Sequence, residues 1–525
     1  MNLTKRVWIL LLVILTFWGN TALAWTGDGT LLVRDSLPVG WVLELDYLAS
    51  PGEILAFSNQ LGVEIELLRN YVFRTSEGYF QVNFVVTETK EQAEALHQLF
   101  LSFHTEDQVS VVGRRVLEIV TENPVLTEIA QASLRFVSEE TEDYEQTALK
   151  HYIEDNSWPI TNLKDVTFPF RAELSQHRVF LVGESHGVAI NQELESALLE
   201  FFVLEGGVRN YLLELSPSIV GYLREYVETG NEEVLYRAFD GVKGTYFWTK
   251  DNLEHWKRVH LLWQSLPEEQ KFSLVALDIE HQPLLSLRYL QHLLDIVDPE
   301  KTLAQTELGQ IEAVLRGELS VSNEEVADFF TTLEKTLGQD AVRAVLGSHL
   351  FEFELILANL RNALELSGIQ DQTLWNKARD QAMYENFLWQ CDLASTEKYF
   401  GQWGLGHVYQ SEQWGVNWVA SLLNQEEAYS EKVLSIVLIY QDSHSLRNFS
   451  YEVVPLDTYS TRSNVFREIG GDDPLLIKLD SPESPFGEQL IWKTRDPKPW
   501  KGVTTDYYQY ILFVPNAEPS SPLVD

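Results

Sequence analysis

The sequence predicts an α/β protein with a largely parallel sheet, helices and a helical insertion, preceded by a small α+β module of ferredoxin-like plan. Three observations carry this expectation. From Phe180 onward, short apolar runs alternate with longer helical patterns, the rhythm of a parallel sheet. Before residue 122 the order is strand, helix, strand, strand, helix, strand, which is the split β-α-β plan. The chain has 525 residues, 45% of them hydrophobic and 12% aromatic, enough to fill more than one core.

The elements follow in chain order. Residues 1–24 read as a secretory signal: Lys5 and Arg6, an apolar run from Val7 to Trp18, then Ala22-Leu23-Ala24 as the cleavage site. The run is shorter than the roughly 20 residues a spanning helix needs, so no stable membrane anchor is expected after cleavage. A periplasmic or secreted location follows. Residues 25–122 hold the ferredoxin-like module. Trp41 to Tyr47 alternates as a strand, Pro51 to Gly62 is a helix opened by proline and closed by glycine, and Val63 to Arg74 and Tyr79 to Val86 are strands joined at Ser76-Glu77-Gly78. Thr89 to His104 is an amphipathic helix, and Val109 to Thr121 a last strand. Residues 123–172 read as a helical linker ending in a loop from Asp155 to Pro169. The main domain spans 173–517. Its strand candidates are Phe180 to Val182, Tyr211 to Leu215, Leu274 to Asp278, Tyr399 to His407, Val433 to Tyr440 and Gln509 to Val514, with residues 300–369 a helical insertion or lid. The Pro/Ser-rich tail, 518–525, is expected to fray.

The net charge of −39 excludes nucleic-acid binding through the general field of the protein and fits high solubility. The single cysteine, Cys391, excludes an intramolecular disulfide; it lies in a helical pattern and reads as a small buried apolar residue.

The chemistry is expected at strand ends. Gly183-Glu184-Ser185-His186-Gly187 closes an apolar strand with two glycines around a carboxylate, a hydroxyl and an imidazole. Glu214, Asp278 and His407 close three later strand candidates, with Glu280 and His281 just beyond Asp278. Parallel strands bring such ends to one rim. An extended 183–187 puts Glu184 and His186 on one side and Ser185 on the other. That favours a carboxylate and imidazole acting together on water or a metal. A strained elbow would instead raise Ser185, and Gly183 to Gly187 does match G-x-S-x-G, with Ser185, Asp278 and His407 in hydrolase order. Against the elbow, no earlier strand or oxyanion loop precedes it.

These residues resemble the erythromycin esterase-like superfamily over about 178–515. The resemblance rests on the strand-GE-x-H-G opening, Glu214, Phe247-Trp248 with Trp256, Leu277-Asp278, Arg379-Asp380-x-x-Met383-x-x-Asn386, and Gly406-His407. It implies a hydrolase that cleaves an ester, lactone or related bond in a small-molecule substrate. His186 would be the general base, oriented by Glu184, with Glu214, Asp278 and His407 completing the polar cluster and Arg379 as electrostatic support or salt-bridge partner. The macrolide esterases carry one more residue between the Glu and the His. That departure leaves macrolide specificity unsupported. No cofactor is required by this chemistry, but the Glu and His set leaves room for a divalent metal. Two alternatives stand beside the water-activating hydrolase: a non-catalytic metal- or haem-binding envelope protein, and a serine hydrolase using Ser185.

Overall fold

Short runs of β-branched and aromatic residues, buried on both faces, build the main sheet. The computed structural model describes residues 147–523, apart from 164–167, 171, 320–322, 392–395, 414, 461–463, 497–498 and 500–501. It also describes the backbone of 139–146 and of six short strands between 40 and 137. Eight strands form the main sheet: β1 Ser157–Pro159, β2 Val179–Glu184, β3 Asn210–Leu213, β4 Ser273–Ala276, β5 Tyr399–Gly404, β6 Val433–Gln441, β7 Leu475–Lys478 and β8 Tyr510–Pro515. Their order is β4-β3-β5-β2-β6-β8-β7-β1. From β4 to β8 every ladder is parallel; β7 and β1 add an antiparallel edge that the sequence reading did not anticipate.

The chain lays β3 and β4 to one side of β2, returns to slot β5 between β3 and β2, and then crosses to β6 on the far side. The carboxyl end of β2 is therefore a topological switch point, where open α/β sheets form a crevice. Register does the rest. Val179 lies opposite both Tyr399 and Val433, which places Glu184 opposite Gly404. The segments that follow β2 and β5 thus leave the sheet at the same height.

All six residues of β2 are buried, as expected for a strand covered on both faces. Phe180 and Val182 join a core that includes Phe202, Tyr211, Trp256 and Phe400. Val179 and Leu181 join an opposite core with Met383, Phe387, Tyr399 and Trp403. Helices α1 Ala189–Leu204, α2 Pro217–Thr229, α3 Lys250–Ser265, α4 Pro283–Val297, α5 Leu350–Ser367 and α6 Gln372–Gln390 cover the sheet. The insertion is helical as expected, but Leu308, Ile311, Leu333 and Phe353 extend the same core as Leu287 and Leu290 of α4. Among the described residues no helix is long and apolar enough to cross a membrane.

Two further expectations are corrected. The tail does not fray over its described part. Pro519 and Pro522 bridge antiparallel to Val188 and Thr249, and Ser520 N–H donates to Gly187 O at 2.9 Å. A proline lacks its own N–H, but its carbonyl and its neighbours' amides still make a strap. Before residue 138, the 71–74 and 80–85 strands pair as the predicted hairpin. However, 80–85 also pairs with 116–121, the place that the first strand fills in a ferredoxin-like sheet. The first strand, 40–45, pairs instead with 132–137, which the sequence assigns to the helical linker. The two helices expected at 51–62 and 89–104, and the signal segment, lie outside the described residues.

Candidate functional site

The turn after β2 is built around Gly187. Its φ is +82°, a left-handed conformation, and a Cβ there would lie 2.3 Å from Leu446 O. Only glycine allows the 443–446 strand to dock so closely, with Leu446 N–H donating to Gly187 O at 2.8 Å. This fixes the direction in which His186 leaves the strand.

His186 Nδ1 lies 3.0 Å from Glu184 Oε1. The other oxygen of Glu184 accepts from Gln402 Nε2 at 2.6 Å, so β5 holds the carboxylate that holds the imidazole. His186 Nε2 lies 3.9 Å from Glu214 Oε2 and borders a cavity of about 180 Å³. Gly404 makes this approach feasible: a Cβ there would stand 3.1 Å from His186 Nε2. Burial alone would lower the His186 pKa, but Glu184 and Glu214 outweigh it and raise it above 6.5.

Behind His186 lies an ion-paired cluster. Arg379, at the buried face of α6, donates through Nε and Nη2 to both oxygens of Asp278, at 2.9 and 2.6 Å. Nη2 also donates to Glu214 Oε1 at 2.7 Å, and Gly404 N–H donates to Glu214 Oε2 at 2.7 Å. His407 Nδ1 lies 2.8 Å from Asp380 Oδ1, and Nε2 lies 3.2 Å from Glu214 Oε1. Against the cost of burial, Asp380 and Glu214 raise the His407 pKa to about 10. Arg379 Nη1 also lies 2.9 Å from His407 Nε2. Three carboxylates, Glu214, Asp278 and Asp380, surround Arg379 and His407. Glu214 is held well below the usual carboxylate range: His407 and Arg379 overcome its burial. Asp278 is lowered likewise, by Arg379 and His281, against its burial.

All six residues singled out in the sequence, Glu184, His186, Glu214, Asp278, Arg379 and His407, thus meet in one connected cluster. His281 joins it, its Nε2 2.9 Å from Asp278 Oδ2. One detail differs. His407 does not end a strand but sits in a short 3-10 turn, Leu405–Val408, because β5 stops at Gly404. Arg379 pairs with Asp278 and Glu214, while its neighbour Asp380 serves His407. Ser185 is placed differently. It is not among the cavity-lining residues, and among the described residues no hydrogen bond joins its hydroxyl to an imidazole; its backbone carbonyl accepts from Asn191 Nδ2 at 2.8 Å.

Sequence reading missed a second buried cluster at the same cavity. Glu195 on α1, Tyr211 on β3 and His255 on α3 line the same cavity. Tyr211 Oη hydrogen-bonds with Glu195 Oε1 and lies 3.0 Å from His255 Nε2. His255 Nδ1 lies 2.8 Å from Ser196 Oγ, which also lies 2.7 Å from Gln192 O. Burial drives His255 down to a pKa of about 3, and burial together with Glu184 drives Glu195 up to about 8. These residues sit inside apolar periodic segments, where a sequence pattern reads only core. Phe247 and Trp256 also border the cavity with Tyr246 and Phe449. No described residue of 300–369 lines the cavity.

No family model and no curated protein matches the chain in sequence. Solved structures do match in fold. A protein from Bacillus cereus superposes with a TM-score of 0.53 at 16% identity, covering 72% of this chain and 99% of its own. A succinoglycan biosynthesis protein gives 0.54 at 12% identity, with the same coverage. A variant of the erythromycin esterase EreC, in its open conformation, gives 0.50 at 17% identity, covering 70% of this chain and 99% of its own. With the parallel sheet, the switch point at β2 and the Glu–His cluster at its end, these likenesses establish that the chain has the erythromycin esterase-like fold.

Proposed function

We propose that the protein is an exported hydrolase that cleaves an ester, lactone or related bond of a small molecule with water activated by His186. The observation that carries this reading is the asymmetry of that ring. Nδ1 is committed to Glu184, while Nε2 borders the cavity with no hydrogen-bond partner at normal distance among the described residues. A neutral His186 carries its proton on Nδ1, fixed by Glu184, and offers the Nε2 lone pair to water. As the water oxygen adds to the substrate carbonyl carbon, its proton passes to Nε2 and the imidazolium is stabilised by Glu184 and Glu214. Arg379 and His407 act through Glu214: they keep it ionised and fixed, and are positioning residues.

The donor set does not fit a divalent metal in this arrangement. Glu214 and Asp278 spend their oxygens on Arg379, and Gly404 N–H takes the second oxygen of Glu214. A guanidinium already stands where a cation would be held. This also favours turnover over storage of a metal or haem. Export rests on the N-terminal signal pattern, Met1 to Ala24.

The test is initial-rate hydrolysis of an ester and lactone panel by the parent, His186→Ala and Ser185→Ala. His186→Ala is expected to lose at least ~10²–10⁴-fold in kcat/KM, the range for a general base. Ser185→Ala should retain the parental rate. Equal rates for parent and His186→Ala would remove His186 as the base, and loss of activity in Ser185→Ala would restore the serine reading.

A further inference from the structure

The strands Ser443–Leu446 and Val453–Leu456 pair antiparallel and leave 447–452 as the tip of a hairpin. Two aromatic residues of this tip have left-handed backbones, Phe449 at φ +59° and Tyr451 at φ +54°. Glycine enters that region freely, and asparagine and aspartate tolerate it; for a bulky side chain it is a strained outlier. Packing accounts for Tyr451: its ring lies 5.8 Å from that of Trp248, and it packs against the main core. Packing does not account for Phe449. Among the described residues it joins neither of the two large cores and pairs with no other ring. It is nevertheless held firmly. Its N–H donates to Gly244 O at 2.6 Å, and a Cβ on Gly244 would stand 2.9 Å from Phe449 Cδ1. The base of the hairpin is pinned by Leu446 N–H on Gly187 O. Fixed at both points, Phe449 borders the cavity. A strained backbone persists only where its surroundings over-determine it, and here what they fix is a ring at a cavity wall.

From this we infer that Phe449 is a substrate-contacting residue that selects for an aromatic group beside the scissile bond. The inference rests on the hydrolytic reading of His186. Phe449, Tyr246 and Phe247 border the same cavity, and all three are half-buried, so their rings keep apolar surface to offer a ligand. The Tyr246 ring stands 5.3 Å from that of His186, between centroids, so a group seated among these rings lies close to the base. Flat rings meet such surfaces edge to face or in offset stacks, with more contact than a branched chain of equal size makes. Glu184 and Glu214 on the same cavity disfavour an anionic substituent on that group.

The experiment measures kcat/KM of the parent, Phe449→Asn and Phe449→Tyr on ethyl acetate, ethyl phenylacetate and benzyl acetate. These carry a phenyl group on neither side of the ester, on the acyl side and on the alcohol side. The parent should prefer one of the phenyl esters to ethyl acetate. Phe449→Asn should cut that preference ~10–100-fold, the worth of an aromatic side chain buried against a ligand, and Phe449→Tyr should keep it. Asparagine accepts the left-handed backbone, so the Tm of Phe449→Asn should equal or exceed the parental value. A preference unchanged in Phe449→Asn, a parent without one, or a Tm lowered by that substitution would each overturn the inference. Binding separates this inference from hydrolysis. Benzylacetone and benzyl propyl ketone replace the ester oxygen of the two phenyl esters by CH₂ and cannot be hydrolysed. One of them should raise the parental Tm more than methyl propyl ketone does, and lose that advantage in Phe449→Asn. If that difference is present and no ester is cleaved, the hydrolytic reading fails and the aromatic subsite stands. If esters are cleaved and the difference is absent, the subsite fails and the hydrolytic reading stands.

Discussion

Two buried clusters beside the cavity, one around Arg379 and one around Tyr211, carry the same residue types with their pKa values shifted in opposite directions. Both have a buried histidine and a carboxylate near it. Beside Asp380 and Glu214, His407 is raised to about 10; beside a tyrosine and a serine, His255 is lowered to about 3. Next to Arg379, Glu214 is held ionised; next to Glu184, Glu195 is held neutral up to about pH 8. Burial is similar, with His407 6% exposed and His255 1%. The difference therefore lies in the neighbours. A buried group ionises where an opposite charge repays its desolvation, and stays neutral where only dipoles face it.

The contrast can be broken most directly at Arg379. Arg379→Met leaves Asp278 and Glu214 buried without their cation and should cost about 3–5 kcal/mol in urea-induced unfolding. An unchanged midpoint would show that the ion pairs are not what holds this cluster. In the cluster around Tyr211, His255→Leu removes one uncharged hydrogen-bond partner, so the expected loss is only about 1–3 kcal/mol. A cost equal to that of Arg379→Met would end the distinction between the clusters.

A pH dependence sharpens the comparison further. An unfolded chain ionises Glu195 near its ordinary value of 4.5, whereas the folded protein keeps the proton to about 8. Folding therefore weakens as pH rises from 4.5 to 8, and the penalty is constant above that. His255 works in the other direction: the unfolded ring protonates below 6.5 and the folded one only near 3, so stability falls as pH drops through that window. Glu195→Gln removes the first dependence alone. Its Tm relative to the parent should climb between pH 4.5 and 8 and then level off. A flat difference would mean that Glu195 ionises normally in the folded state.

How much of this was legible beforehand depends on the kind of signal. The glycine-bracketed Glu184-Ser185-His186 is unusual at the end of an apolar strand, and Glu214, Asp278 and His407 share that position near later strand ends. Such residues are conspicuous because nothing in packing calls for them. Glu195 was passed over and His255 read as a surface or core residue because each lies in a helix beside buried apolar residues, and Tyr211 was passed over because a buried aromatic in a strand needs no explanation. The strand at 132–137 and the antiparallel β7 were missed for a related reason: four to six residues carry too little period to separate strand from loop.

The sequence by itself determined the rhythm of strands and helices, the acidic surface, and the set of carboxylates and imidazoles at strand ends. Local spacing is enough for these, since side-chain direction along a strand or helix follows from its period. Only the tertiary structure decided which of them are charged. That depends on groups far apart in the chain: Arg379 meets Asp278 across 101 positions, and Tyr211 meets His255 across 44. Electrostatic energy in a dry interior is set by distance in space, and no pattern along the chain encodes it.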